Sequence, residues 1–143
     1  MLKILVPVDG SDTSQRAVGH VISLTQLYKD GADIHLINVQ PSLPFGGRVS
    51  AVVGHGNIEE YHREEGMKAL QPARQMLDAA GVKYHYHIAV GDPAEVIAQY
   101  GKQHGIDQVV MGTNGRSAVA SVLMGSVAKE VLAKALVPVV LVK

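Results

Sequence analysis

Short apolar runs alternate with amphipathic stretches along the chain. Five of these runs are short and mostly apolar, which predicts strands, and the first is β-branched and stops at the turn-forming residues 9–12. The predicted strands are Leu2 to Val8, Ile34 to Val39, Tyr84 to Val90, Gln108 to Met111 and Val137 to Val142. Most of them are continuously apolar, which is typical of parallel strands that are covered on both faces.

Four stretches between the predicted strands have the features of helices. Apolar residues recur at the spacing of one helix face over residues 17–28 and again over residues 67–80. A third helix is predicted to start at Asp92, because this N-cap residue is followed by Pro93 at the first helical position. Gly125 opens the last predicted helix.

Strands and helices therefore alternate through the whole sequence. This order predicts an α/β protein with one doubly wound domain over residues 1–143, in which a five-stranded parallel sheet carries helices on both faces. Prolines and glycines interrupt the pattern over residues 41–57, which we interpret as a long mobile loop.

Composition narrows the classes of function. The 13 basic and 13 acidic residues cancel, and only 4% of residues are aromatic, which argues against nucleic acid or an anionic membrane as a partner. The absence of cysteine excludes thiol catalysis and thiolate metal sites. Since no apolar run approaches the roughly 18 residues of a membrane span, and no signal peptide is expected, we predict a cytoplasmic protein.

Candidate chemistry lies where two of the strands end. Residues 7–11 and 111–117 form glycine-containing loops with short polar side chains, and free backbone amides in such loops can bind an anion. Residues 125–126 add a helix N-terminus, which favours a phosphate. Arg116 and the hydroxyl of Ser126 complete a possible polyphosphate cradle. Residues 108–143 carry four basic side chains and one acidic one, a charge that suits a single polyphosphate.

Three segments together resemble the universal stress protein family. They are Ile4 to Ala17, Gly91 to Ser117 and Gly125 to Lys143. Within them, the spacing Gly112-x2-Gly115-x9-Gly125-Ser126 resembles the nucleotide-binding signature of that family, and every glycine of the signature is present. The resemblance therefore implies the ATP-binding branch, with a universal stress protein-like fold and with Mg²⁺ or Mn²⁺ at the phosphates.

The resemblance also assigns residues to the parts of the nucleotide. It implies that the base and ribose contact Pro7, Val8, Asp9 and Val39. It implies that the ribose and phosphates contact Met111, Gly112, Gly115, Arg116, Gly125, Ser126 and Val127. Asn114 departs from the family, because many relatives carry a basic or larger residue at that position.

Asp9 has two possible roles. It could cap the first helix, but Ser11 and Asp12 are better placed to do so. We therefore expect Asp9 to face the ribose or a metal ion.

The seven histidines raise the question of a separate metal site. His85 and His87 lie two residues apart on a predicted strand and would point to the same face. No third ligand has a diagnostic spacing, and a His-Glu-x-x-His motif is absent. The sequence therefore favours no histidine metal site.

The last predicted strand suggests a partner. Val137 to Val142 is apolar and ends one residue before the end of the chain, so at a sheet edge nothing after it could cover it. Pairing with the same strand of a second copy would cover this edge, and the family resemblance implies the same arrangement. We expect a homodimer.

Three classes of function stay open at this point. The first is an ATP-binding module that responds to nucleotide during stress adaptation. The second is a slow ATPase, in which Asp9 positions the metal while Arg116 and Ser126 neutralise the phosphates. The third is a nucleotide-free dimeric scaffold. Serine-hydrolase, P-loop and Rossmann dehydrogenase motifs are absent.

Overall fold

The computed structural model describes residues 1–42, 55–114 and 124–143. The strands are β1 (Leu2–Pro7), β2 (Ala32–Gln40), β3 (Tyr84–Val90), β4 (Gln108–Gly112) and β5 (Val139–Val142). The helices are α1 (Asp12–Leu27), α2 (His55–Ala79), α3 (Pro93–Gln103) and α4 (Ser126–Lys134). None of the helices in these ranges is long and apolar enough to cross a membrane.

The five strands form one parallel sheet in the order β3-β2-β1-β4-β5. The chain moves outward from β1 to β3 and then returns to the other side of β1 with β4. The strand order thus reverses between β1 and β4, and ligands of such sheets bind at the carboxyl ends of the strands at this point. The predicted doubly wound parallel sheet is confirmed.

The sheet separates two apolar cores. Ile4 and Val6 of β1 contact the core formed with α1 and α2, whereas Leu5 between them contacts the core formed with α3 and α4. Successive side chains of a strand point to opposite faces, so a continuously apolar strand serves both cores. The prediction of helices on both faces is confirmed.

Several element boundaries differ from the prediction, and those at the start of α2 and of β5 differ for identifiable reasons. Helix α2 begins at His55, so the loop predicted over residues 41–57 is wrong for its last three residues. The loop is inferred from the prolines and glycines of residues 41–47, and these residues do not determine where the next helix begins. Residues 43–54 lie outside the described ranges. Strand β5 begins at Val139 rather than Val137, because Pro138 has no amide N–H to pair, although its carbonyl accepts a hydrogen bond from the Val109 amide.

Candidate functional site

The carboxyl ends of β1, β2 and β4 carry most of the predicted site residues. Pro7 is the last residue of β1, Val39 is next to last in β2, and Gly112 is the last residue of β4. Val8 and Asp9 follow β1, Met111 precedes Gly112, Gly125 is the N-cap of α4, and Ser126 and Val127 open that helix. Gly115 and Arg116 lie outside the described residues. The described members thus lie along one edge of the sheet, at the reversal of strand order.

The backbone after β1 is held by its neighbour β2. The Val8 amide donates a hydrogen bond to the Ile37 carbonyl at 2.9 Å, and the Asn38 side-chain amide donates one to the Val8 carbonyl at 2.8 Å. Asn38 is buried, and its own side-chain oxygen accepts a hydrogen bond from Gln40. Both backbone groups of Val8 are therefore satisfied, which positions the loop that follows. Sequence analysis missed Asn38, whose only signal is that it is polar within an apolar strand.

The loop between β1 and α1 is a tight turn around Asp9. Gly10 has a φ of 83°, in the left-handed region that favours glycine. The Asp9 carboxylate accepts a hydrogen bond from the Ser11 amide at 2.9 Å, and the Ser11 hydroxyl in turn accepts one from the Ser14 amide as the N-cap of α1. The expectation that Ser11 caps this helix is confirmed. The role of Asp9 toward a ribose or a metal ion stays a prediction.

Gly112 allows the end of β4 to pack closely against α1. A Cβ atom at this position would lie 2.7 Å from the Thr13 hydroxyl oxygen and 2.8 Å from the Thr13 carbonyl carbon. The Thr13 hydroxyl also donates a hydrogen bond to the Asn114 carbonyl. Glycine at position 112 therefore has a packing role that is independent of any ligand.

The start of α4 lies beside the end of β4. The Gly125 amide donates a hydrogen bond to the Thr113 carbonyl at 2.6 Å, and the Thr113 amide donates one to the Val142 carbonyl. Gly125 provides no side-chain cap, and the first turn of α4 contains no acidic residue. The first amides of a helix have no partner within the helix and carry its positive dipole end. This helix N-terminus is suited to an anion.

Asn114 adds an unusual polar atom at the same edge. Its side-chain oxygen is buried and has no hydrogen-bond partner within the described part of the chain. A buried acceptor without a partner is costly, since it has lost its water without a replacement. A ligand hydroxyl or amino group at this edge would supply the missing donor.

A second polar cluster lies at the opposite edge of the sheet, near the amino-terminal ends of β2 and β3. Asp33, His35 and His85 each offer one atom to a group whose members all lie within 4.8 Å of one another. No third ligand has a diagnostic spacing in the sequence, but the folded sheet brings Asp33 and His35 close to His85. His87, which the sequence paired with His85, instead packs against Tyr100, with ring centroids 5.0 Å apart. Sequence spacing missed this cluster because its members come from two strands that become neighbours only in the folded sheet.

Comparison with known proteins gives the family. The universal stress protein family matches residues 1–143. Universal stress protein MJ0531 of Methanocaldococcus jannaschii is 36% identical over 141 residues, which cover 99% of this chain and 81% of that protein. The solved structure of MJ0577, from the same organism, has a TM-score of 0.82 at 28% identity. The alignment covers 99% of this chain and 95% of that chain.

A third similar protein has a nucleotide in its structure. It is a universal stress protein family protein from Arabidopsis thaliana with AMP bound, and it has a TM-score of 0.68 at 21% identity. The alignment covers 100% of this chain and 92% of that one, and the likeness shows a shared fold. Because the family match extends over the whole sequence and a relative shares more than a third of its residues, this chain belongs to the universal stress protein family.

Proposed function

We propose that this protein binds ATP at the carboxyl ends of β1 and β4 and acts as a nucleotide-responsive module in stress adaptation. The observation that carries the proposal is the start of α4, which has no side-chain cap and is hydrogen-bonded through Gly125 to the end of β4. A helix N-terminus at the reversal of strand order in a parallel sheet is a favourable place for phosphates. The AMP-bound Arabidopsis protein supports the choice of an adenine nucleotide.

The proposed contacts follow the position of each residue along this edge. The residues proposed for the base and ribose are Pro7, Val8, Asp9 and Val39. The residues proposed for the ribose and phosphates are Met111, Gly112, Gly115, Arg116, Gly125, Ser126 and Val127. The unpartnered oxygen of Asn114 is an additional acceptor for a hydroxyl or amino group of the ligand.

A divalent cation, Mg²⁺ or Mn²⁺, is proposed to accompany the phosphates and neutralise part of their charge. Asp9 is the proposed protein ligand, since hard cations of this kind prefer carboxylate oxygens. Its hydrogen bond from the Ser11 amide is compatible with this role, because an ionised carboxylate accepts several interactions at once. The same proposal places the protein in the cytoplasm, which suits a chain without cysteine.

Two measurements test the nucleotide site. The first is nucleotide extraction from the freshly purified, denatured protein, in which we expect ATP, whereas ADP would indicate turnover by a slow ATPase. The second is calorimetric titration with ATP and Mg²⁺ of the wild type and Gly125→Asp. A carboxylate at the start of α4 would repel the phosphates, so we expect at least a tenfold loss of affinity.

Ala133→Asp is the matched control, because it adds the same charge to an exposed position near the other end of α4. We expect this variant to bind ATP like the wild type. If Gly125→Asp also binds ATP like the wild type, the placement of the phosphates at the start of α4 is wrong. If neither extraction nor titration detects an adenine nucleotide, the chain is a nucleotide-free scaffold and the whole proposal is wrong.

We also propose that the protein is a homodimer that associates through its C-terminal strand. Strand β5 is the last strand in the sheet and pairs with β4 on one side. Its four residues are apolar and each is partly exposed, and Leu136, just before the strand, is 86% exposed. An apolar edge strand of this kind is a site for pairing with another chain. Analytical ultracentrifugation at micromolar concentration should show a dimer, and a monomer would contradict the proposal.

A further inference from the structure

Asp33, His35 and His85 converge because of the register between two strands. Asp33 and His35 lie two residues apart on β2 and share a face, and His35 pairs with His85 of β3. One carboxylate oxygen of Asp33 lies 3.1 Å from the Nε2 atom of His35, and the other lies 3.2 Å from the Nε2 atom of His85. A single carboxylate therefore bridges the two imidazole rings.

These separations are close to those of ligands around a metal ion. Tetrahedral zinc ligands that lie about 2.0–2.1 Å from the ion lie about 3.3–3.4 Å from one another. The two carboxylate to imidazole separations, 3.1 and 3.2 Å, differ from that value by a few tenths of an ångström. The three ligand atoms all lie within 4.8 Å of one another, so side-chain adjustments would bring them around one ion.

Tyr100 can orient His35 for such an ion. Its hydroxyl lies 2.7 Å from the Nδ1 atom of His35, within the buried part of the cluster. The hydroxyl can donate or accept, so it can accept a hydrogen bond from Nδ1–H and leave the lone pair of Nε2 for the metal. A second hydrogen bond of this kind is the usual support for a metal-bound histidine.

The carboxylate of Asp33 also fits a ligand, because it contacts both imidazoles at once, one through each of its oxygens. Its negative charge is the counter-charge that a divalent cation needs among the surrounding histidines.

The cluster is accessible from solvent on one side. The side chain of His85 is 61% exposed and that of Asp33 is 26% exposed. Both residues line an open groove of about 790 Å³ together with Lys83 and Tyr84. Water can therefore occupy a fourth coordination position, and an ion can enter without unfolding of the sheet.

We propose that Asp33, His35 and His85 bind one divalent transition-metal ion of the zinc type, with water at the fourth position. Two imidazoles and one carboxylate suit Zn²⁺, whereas Mg²⁺ prefers ligands that are all oxygen. The site is distinct from that of the cation proposed at the phosphates. Asp33 and Val39 are six residues apart on β2, which corresponds to about 20 Å along a strand.

The test is a Zn²⁺ titration of metal-free protein in competition with a chromophoric chelator, in the absence of nucleotide. We expect one Zn²⁺ per chain in the wild type, and more than tenfold weaker binding in Asp33→Asn and His85→Ala. The matched control is His20→Ala, which removes an exposed histidine on α1 and should bind Zn²⁺ like the wild type. A Co²⁺-loaded wild type should show the visible absorption of a nitrogen- and oxygen-ligated ion, and His85→Ala should lose it.

Tyr100→Phe separates the role of Tyr100 from the role of the three ligands. Loss of a group that orients a ligand typically weakens metal binding about 10- to 100-fold, so we expect a loss in that range with the one-to-one stoichiometry kept. Circular dichroism checks that each variant is folded. Because the side chain of His85 is exposed, His85→Ala is the variant that we expect to disturb the fold least. A wild type that binds no Zn²⁺, or that binds it no more tightly than folded His85→Ala, overturns the proposal.

Discussion

Gly112 lies where the end of β4 meets the start of α1, and its replacement by alanine tests whether this glycine is required for packing. The added methyl group would lie 2.7 Å from the hydroxyl oxygen of Thr13 and 2.8 Å from its carbonyl carbon. Favourable contacts between such atoms are about 3.5–4.0 Å long. The hydroxyl can rotate away, but the carbonyl carbon belongs to the backbone of α1, so the helix itself has to move.

The expected cost follows from these distances. Overpacking of a core by one methyl group costs about 1–3 kcal/mol, and the backbone contact places Gly112→Ala near the upper end. Alanine also restricts the unfolded chain, which offsets about 0.4–1 kcal/mol. The net loss of unfolding free energy is thus about 2 kcal/mol, equivalent to a fall in Tm of about 6–8 °C for a domain of this size.

Urea unfolding followed by circular dichroism measures this loss, and Gly101→Ala is the matched control. Gly101 lies within α3, and a Cβ atom added there would lie 3.9 Å from the Cβ atom of Ile106, which is an ordinary van der Waals contact. Alanine is favoured over glycine inside a helix, so we expect this control to gain about 0.5–1 kcal/mol. If Gly112→Ala were as stable as the wild type, the close approach of β4 to α1 would be refuted. If it were destabilised but still bound ATP tightly when folded, position 112 would serve packing rather than ligand contact.

Three further predictions concern other parts of the molecule. Asp92→Ala should lower the unfolding free energy by about 1 kcal/mol in urea, because the Asp92 carboxylate accepts a hydrogen bond from the Glu95 amide and caps α3. Leu136→Glu should weaken the proposed dimer at least tenfold in sedimentation equilibrium, whereas Leu27→Glu, at a 78% exposed position on α1, should leave it unchanged. Partial burial, followed by the charges of the neighbouring histidines, lowers the pKa of His87 below its ordinary value of 6.5. Its contribution to stability is therefore present above pH 6.5 and is lost as the pH falls through the lowered pKa, so His87→Gln should flatten the pH dependence of Tm in that range.

The parts of the fold that follow from local chemistry could be predicted from the sequence. The sequence predicts the third strand with the bounds that the structure has, from Tyr84 to Val90. Helix α3 begins where Asp92 and Pro93 indicate, because the cap acceptor and the fixed φ of proline act within one turn. The start of α2 at His55 could not be predicted in the same way, since no cap or apolar repeat marks it in the sequence.

The candidate site was only partly predictable, because glycines with different roles look alike in a sequence. Gly112 and Gly125 belong to the same spacing, yet Gly112 makes room for Thr13 while Gly125 begins α4 without a side-chain cap. The contact of Asn38 with the Val8 carbonyl had no local signal either. It joins one residue that precedes α1 in the sequence to one that follows it, and it exists only because β1 and β2 are neighbours in the sheet.

The two ends of β2 show how one strand can take part in two kinds of chemistry. Toward its carboxyl end, Asn38 holds the backbone of Val8 beneath the proposed nucleotide, and its amino-terminal part carries Asp33 and His35 toward His85 of β3. The register between β2 and β3 decides the second arrangement. A shift of one residue would move the β3 side chains to the other face of the sheet and leave His35 without His85. Because the apolar residues of β2 fill both cores, burial holds this register, and the proposed metal site needs no sequence motif of its own.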